Sequence, residues 1–157
     1  MTRIRLLAVG TRMPTWVEQG FYEYTSRMPR ECAVKLHEIP MSKRCKSSVP
    51  RQQIEQEGRR MLAAIPNNAI VVGLDLKGTL WSTAQLAHHL ERWLQWGREL
   101  VFMVGGPDGL SRDCIKRADY RWSLSNLTFP HSLVRVMLAE QIYRAWTLIK
   151  GHPYHRD

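Results

Sequence analysis

The chain has 157 residues, 44% of them hydrophobic, which is the size of one domain able to bury a core of its own. Its three cysteines are scattered, odd in number and form no C-x-x-C pair, which argues against a disulfide framework and a cysteine-based zinc site and suits a reducing cytosol. A formal net charge of +9, spread over both halves of the chain, points to a polyanionic partner, nucleic acid first, or to a merely soluble basic protein.

The apolar run before Gly10 is too short for a signal-peptide core, and nothing later approaches a membrane span, so a soluble, cytoplasmic protein is expected. Ile4 to Gly10 reads as a short buried strand. Pro14 opens a helix with Val17, Phe21, Tyr24 and Met28 on one face. Cys32 to Ile39 alternates, as a strand near a sheet edge does. The loop that follows carries Lys43, Arg44 and Lys46 between two prolines and is either a solvated turn or an arm that grips phosphate. Ile54, Gly58, Met61, Leu62 and Ile65 mark an amphipathic helix ended by Pro66-Asn67-Asn68, and Ala69 to Leu74 is an uninterrupted apolar run, as in a central parallel strand.

Asp75 to Trp81 reads as a loop with a glycine turn. Ser82 and Gln85 have the spacing of a capping box for a helix striped by Leu86, Leu90, Trp93 and Leu94 and closed by Gly97. His88 and His89 in that helix lack a third ligand at metal spacing, so no metal is expected. Leu100 to Val104 is a further buried strand running into Gly105-Gly106-Pro107-Asp108-Gly109. Ser111 caps a short helix to about Ala118, and a last strand spans Tyr120 to Leu124. After the loop closed by Pro130 and His131 comes a helix apolar almost all the way round, hence a buried one. Strand and helix alternate throughout, which argues for an α/β fold with a mainly parallel sheet; with no repeat or linker, residues 1–157 form a single domain.

Ligands of open parallel sheets sit beyond the carboxyl ends of the strands. Three loops qualify: Leu74 to Gly78, Gly105 to Gly109, and Leu124 to His131. The G-x-G-x-x-G and G-x-x-x-x-G-K-[ST] motifs are both absent, which removes the usual dinucleotide and P-loop readings. Taken alone, GGPDG is a weak signal, since a tight turn has the same composition.

Five stretches in order, LLAVGTRMPTWVEQGFYEY, VVGLDLKG, FMVGGPDGLS, WSLSNLTFPHSLVRVMLAEQIYRA and HPYHRD, give the chain an end-to-end resemblance to the SPOUT class of methyltransferases, in particular the ribosomal RNA large subunit methyltransferase H family. The resemblance implies a homodimer with a deep trefoil knot near its C-terminus and S-adenosylmethionine as cofactor. It implies cofactor contacts from Leu74, Gly105, Gly106, Leu124, Ser125, Asn126, Leu127, Thr128 and Phe129. It further implies methylation of N3 of a pseudouridine in helix 69 of 23S rRNA, on the assembled ribosome. Asp108 stands where glutamate is common in the family, and Ser132 follows His131 where other residues are usual.

That chemistry needs a base, or cations that stabilise the developing anion. Glu140, Tyr154, His155 and Arg156 are the catalytic candidates; Glu140 equally suits an ion pair with Arg144 one turn on. The tail triplet offers a ring to stack, an imidazole and a guanidinium, and the resemblance has it complete a site with the partner subunit. His131 and Arg135 flank the cofactor loop, where they suit a contact to substrate phosphate; the alternative for His131, following Pro130, is a cap at the helix entrance. The alternative function is a non-catalytic RNA-binding or ribosome-assembly module of the same fold.

Overall fold

The computed structural model describes residues 2–43 and 49–155, the last of these in its backbone only. Five strands, β1 (Ile4–Val9), β2 (Val34–Ile39), β3 (Ile70–Leu80), β4 (Leu100–Val104) and β5 (Tyr120–Ser123), alternate with five helices, α1 (Thr15–Thr25), α2 (Pro50–Ala63), α3 (Thr83–Trp96), α4 (Arg112–Arg117) and α5 (His131–Lys150). The strands form one sheet in the order β2-β1-β4-β3-β5, every neighbouring pair parallel. The fold is therefore α/β with an all-parallel sheet, and β2 takes the edge expected from its alternating, wetter pattern.

Parallel strands joined by helices must be covered on both faces, and the period-two alternation divides the core accordingly. On one face Ile4, Leu6, Val34, Ile70, Val72, Leu100 and Phe102 pack with Phe21, Leu86, Leu90, Trp93, Leu138 and Ile142, from α1, α3 and α5. On the other, Leu7, Val9, Ile39, Val71, Val101 and Met103 pack with Met61 and Cys114, from α2 and α4. Each large aliphatic or aromatic side chain removed from water in these layers contributes roughly 1.5–3 kcal/mol.

The helix boundaries follow from local chemistry. Pro50 occupies the first turn of α2, where its missing N–H costs nothing. Ser82 Oγ accepts from Gln85 N and Gln85 Oε1 accepts from Ser82 N, at 3.1 and 2.8 Å, a complete capping box. Ser111 Oγ accepts from Cys114 N at 3.2 Å and caps α4.

Two expectations are corrected. The strand expected to end at Leu74 continues to Leu80. Leu74 pairs with Trp122, residues 75–78 bulge out of the ladder, and Thr79 pairs with the same Trp122 before Leu80 meets Ser123. A loop-like composition thus sits inside a strand that pairs again with β5. The last helix is also less enclosed than its apolar periphery suggests, because Leu133, Val134, Val136 and Met137 remain half-exposed while Arg135, Leu138, Ala139 and Ile142 are buried. One flank of α5 packs on α1 and α3, and the other is only partly covered by the described residues.

Candidate functional site

A cavity of about 610 Å³ opens at the carboxyl ends of β3, β4 and β5. It is built from the bulge of β3, the loop after β4 and the loop between β5 and α5, the three segments expected to form a ligand site. Of the nine residues expected to hold the cofactor, Leu74, Gly105, Gly106, Leu124, Ser125, Leu127, Thr128 and Phe129 line it, and Asn126 does not. His131 also lines it, together with Val134 on the first turn of α5.

The loop after β4 needs glycine for reasons of space. A Cβ on Gly105 would lie 2.5 Å from the backbone carbon of Gly109, because Gly109 N donates to Gly106 O at 3.0 Å and folds the segment back on itself. A second glycine requirement lies in the bulge, where a Cβ on Gly78 would lie 2.7 Å from the Arg121 carbonyl group. The third segment is fixed by its own serines: Ser123 Oγ donates to Ser125 O, and Ser125 Oγ accepts from Leu127 N, each at 3.0 Å. The wall is thus largely backbone held in place before any ligand arrives.

Leu74, Leu124, Phe129, Val134 and Ile115 supply apolar surface, and Asp75, Lys77, Asp108 and Arg121 bring charges of both signs. Arg121 donates to Asp75 Oδ2 through Nε at 3.0 Å and Nη2 at 2.6 Å, and Lys77 N donates to Asp75 Oδ1 at 3.0 Å. Burial alone would push the Asp75 carboxyl up, but the bonds from Arg121 and Lys77 outweigh it and hold the group below its ordinary range. Beneath the floor, Trp122 stacks on Trp81 with ring centroids 5.3 Å apart, which stiffens the end of β5 where the cavity loop departs.

These features fit S-adenosylmethionine. An apolar slot edged by backbone suits adenine, and charged groups of both signs suit a ribose and an amino-acid zwitterion. Asp75 and Arg121 were not among the expected site residues. Asp75 lies within the DLKG stretch, but Arg121 reaches it only because β5 pairs with β3, a relation without local trace in the sequence.

Other expected site residues lie elsewhere. Arg135, expected to face substrate phosphate, has a side chain only 1% exposed. Its Nη1 donates to Glu38 Oε2 at 2.7 Å, and its Nη2 donates to Gly10 O at 2.8 Å and Val9 O at 3.3 Å. It is an internal tie between α5 and the ends of β1 and β2. Lys43 is exposed beyond β2, whereas Arg44, Lys46, Arg156 and the side chain of His155 lie outside the described residues. His131 is the first residue of α5, whose N-cap, Pro130, has no side-chain cap bond.

Glu140 and Tyr154 do not line the cavity of their own chain. Arg144 donates to Glu140 Oε1 at 2.8 Å through Nε, Tyr154 Oη donates to the same oxygen at 3.0 Å, and Gln141 donates to Oε2 at 2.8 Å. The Tyr154 phenol is pushed up to about 12 by burial and then by its bond to Glu140. Its ring lies 4.7 Å from that of Tyr143, with Arg27 and Arg144 over its face. The tail is docked on α5 at least as far as Tyr154. His89 packs in an aromatic cluster, 5.4 Å from the ring of Trp93, and burial, with Arg92 and His88 nearby, lowers its pKa. Among the described residues no group of three potential ligands could hold a metal, and no helix is long and apolar enough to cross a membrane.

The family model described as "Predicted SPOUT methyltransferase" matches residues 2–155. Ribosomal RNA large subunit methyltransferase H of Thioalkalivibrio sulfidiphilus (strain HL-EbGR7) is 56% identical over 155 residues, 99% of each chain. The protein of that name from Pseudomonas aeruginosa (strain UCBPP-PA14) is 51% identical, over 98% of this chain and 99% of its own. Among solved structures, that of a probable methylase family protein from Haemophilus influenzae Rd KW20 superposes with a TM-score of 0.55 at 11% identity, covering 99% of this chain and 70% of that one, a likeness of fold alone. With the family model spanning nearly the whole chain and relatives above half identity over full length, the chain belongs to the ribosomal RNA large subunit methyltransferase H family of SPOUT methyltransferases.

Proposed function

We propose that the chain, as one SPOUT domain of 157 residues, methylates N3 of a pseudouridine in helix 69 of 23S rRNA on the assembled ribosome in the cytoplasm, with S-adenosylmethionine as methyl donor. The observation that carries this reading is the convergence of the Leu74 bulge, the Gly105–Gly109 loop and the Leu124–Phe129 loop on one cavity, in a chain of this family. The cofactor, when bound, supplies an electrophilic methyl group on a sulfonium. Backbone of Gly105, Gly106 and the 124–129 loop would edge the adenine, and the charged rim would hold the polar parts. We read the C-terminal segment as passing through the family's trefoil knot, with α5 leading from the cofactor loop to a homodimer interface.

N3–H of the target lies between two carbonyls, so its proton must leave and the resulting anion needs stabilisation. Tyr154, with its phenol pushed up to about 12, stays protonated and acts as a hydrogen-bond donor. Glu140 is engaged by Arg144, Gln141 and Tyr154, which favours a positioning role: it anchors the tail at Tyr154, and the catalytic work falls to Tyr154, His155 and Arg156 acting on the partner subunit's cofactor. The test has two parts. S-adenosylmethionine or its demethylated product should raise the melting temperature of the isolated protein, since a ligand at a hundred times its Kd adds about 2.7 kcal/mol. Radiolabelled methyl should enter ribosomes lacking the modification, and a protein deleted for Tyr154 to Asp157 should keep the thermal shift but lose incorporation. Absence of any shift at millimolar cofactor defeats the reading.

A further inference from the structure

Two described residues other than glycine have a positive φ, Asn68 at 66° and Arg12 at 59°. Asn68 closes the Pro66-Asn67-Asn68 turn, and asparagine tolerates the left-handed region well. Arginine has no such tolerance, because its Cβ crowds the backbone there. Strain of this kind persists where the surrounding structure enforces it, often at working surfaces.

The enforcement is visible on both sides of Arg12. Gly10 N donates to Ile39 O at 2.8 Å, and Gly10 O accepts from the buried guanidinium of Arg135, also at 2.8 Å. Pro14 starts α1, its carbonyl accepting from Val17 N at 2.9 Å. Between these anchors Arg12 is exposed, and among the described residues its side chain has no hydrogen-bond or ion-pair partner. The strain therefore serves no side-chain contact among the described residues.

Its place in the fold is the second observation. The loop leaves β1 at the end of the sheet where the cavity opens. Val9 reaches within 3.0 Å of the Cβ position of Gly106, and His131 Nε2, on the cavity wall, lies 3.9 Å from that of Gly10. Arg12 is two residues further along. A strongly basic chain is working on an RNA polyanion, and here an unpaired guanidinium stands on a rigid loop beside the mouth of its cofactor cavity.

We infer that Arg12 is a phosphate contact for the rRNA strand carrying the target base, and that its left-handed backbone is kept, against stability, because it presents the guanidinium at that edge. The inference rests on the methyltransferase reading above. Arg12→Gly is the informative variant, since it relieves the φ strain and removes the cation together. It should melt at or above the wild-type temperature and bind S-adenosylmethionine unchanged in calorimetry. Its binding to ribosomes should weaken about tenfold at physiological salt, with the slope of log affinity against log salt reduced by about one. Arg12→Lys should keep most of the slope, and Arg3→Ala, at the opposite end of β1, should match wild type. An Arg12→Gly protein that binds ribosomes with wild-type affinity and slope overturns the inference, as does one that melts well below wild type, which would show that the side chain serves the fold. If wild type itself shows no salt-sensitive ribosome binding, the functional reading falls and takes this inference with it; if wild type binds and the variant is unaltered, only the inference falls.

Discussion

The guanidinium of Arg135 holds three acceptors belonging to two strands, Glu38 Oε2 and the carbonyls of Val9 and Gly10. Removing it would leave those carbonyls without a donor in a dry site, and removing one member of a buried ion pair costs more than the pair itself is worth. Arg135→Met should therefore lower unfolding stability by roughly 3 kcal/mol in urea titrations. Glu38→Gln should cost about 1 kcal/mol or less, because its side chain is 36% exposed and the amide oxygen can still accept. Equal losses would show that the carbonyl bonds matter little. A second residue-scale expectation concerns pH. The Asp75 carboxyl is held below its ordinary value of 3.8 in the folded chain, so the unfolded state binds its proton more readily. The stability it contributes is present above pH 3.8 and is lost as pH falls through the lower folded value. Asp75→Asn should flatten that acid limb of a stability–pH curve and leave its shape near neutrality as in wild type. An unchanged acid limb would count against the pair with Arg121.

At the scale of elements, what could be read in advance was what is local. The capping box of Ser82 and Gln85 and the Gly97 stop of α3, at φ 66°, lie within a few residues of the helix ends they define. So do the Ser111 cap of α4 and the apolar runs of β1 and β4. The β3 bulge was not legible, because the chain beyond Gly78 is drawn back into the sheet by Trp122 and Ser123 of β5, and no short window contains both partners. The same holds for the pairing of Asp75 with Arg121 and for the burial of Arg135, whose charge on an apolar helix reads from sequence as a surface feature. Two glycines separate the local requirement from the tertiary one. Gly78→Ala forces a Cβ against the backbone of β5, which cannot give way as a flexible side chain would. It should cost roughly 2 kcal/mol and weaken S-adenosylmethionine binding through Leu74 and Asp75. Gly97→Ala meets nothing within 4 Å and carries only the left-handed penalty of about 1 kcal/mol. It should leave cofactor affinity unchanged, and calorimetry on both variants separates the two cases. Loss of affinity in both would mean that stability, not the bulge, controls the site.

For the whole molecule the unresolved economy is that of α5, which spends only part of its apolar periphery inside the chain. Val136 lies against Gly20 of α1, 3.1 Å from its Cβ position. One turn before Gly20, Trp16 is 56% exposed, and Leu133 and Met137 are half-exposed on the α5 turns that flank Val136. A contiguous apolar strip on two packed helices is a self-complementary surface of the kind a two-fold dimer covers. It also borders the helix that carries Glu140 and the docked Tyr154, so pairing there is the arrangement that could bring one protomer's tail to the other's cavity. Trp16→Glu alters a residue that the monomer's core does not need. If this strip is the interface of the proposed dimer, wild type should sediment as a dimer and the variant as a monomer, with wild-type circular dichroism and an unchanged cavity. On the same reading the melting temperature should rise with protein concentration for wild type and not for the variant. If the tail acts across the interface, the variant should retain S-adenosylmethionine binding while losing methyl transfer, and mixing it with a tail-deleted protein should restore none of it. A Trp16→Glu protein that remains dimeric would place the interface elsewhere on the molecule. One that turns over as a monomer would show that Tyr154 and its neighbours serve their own subunit.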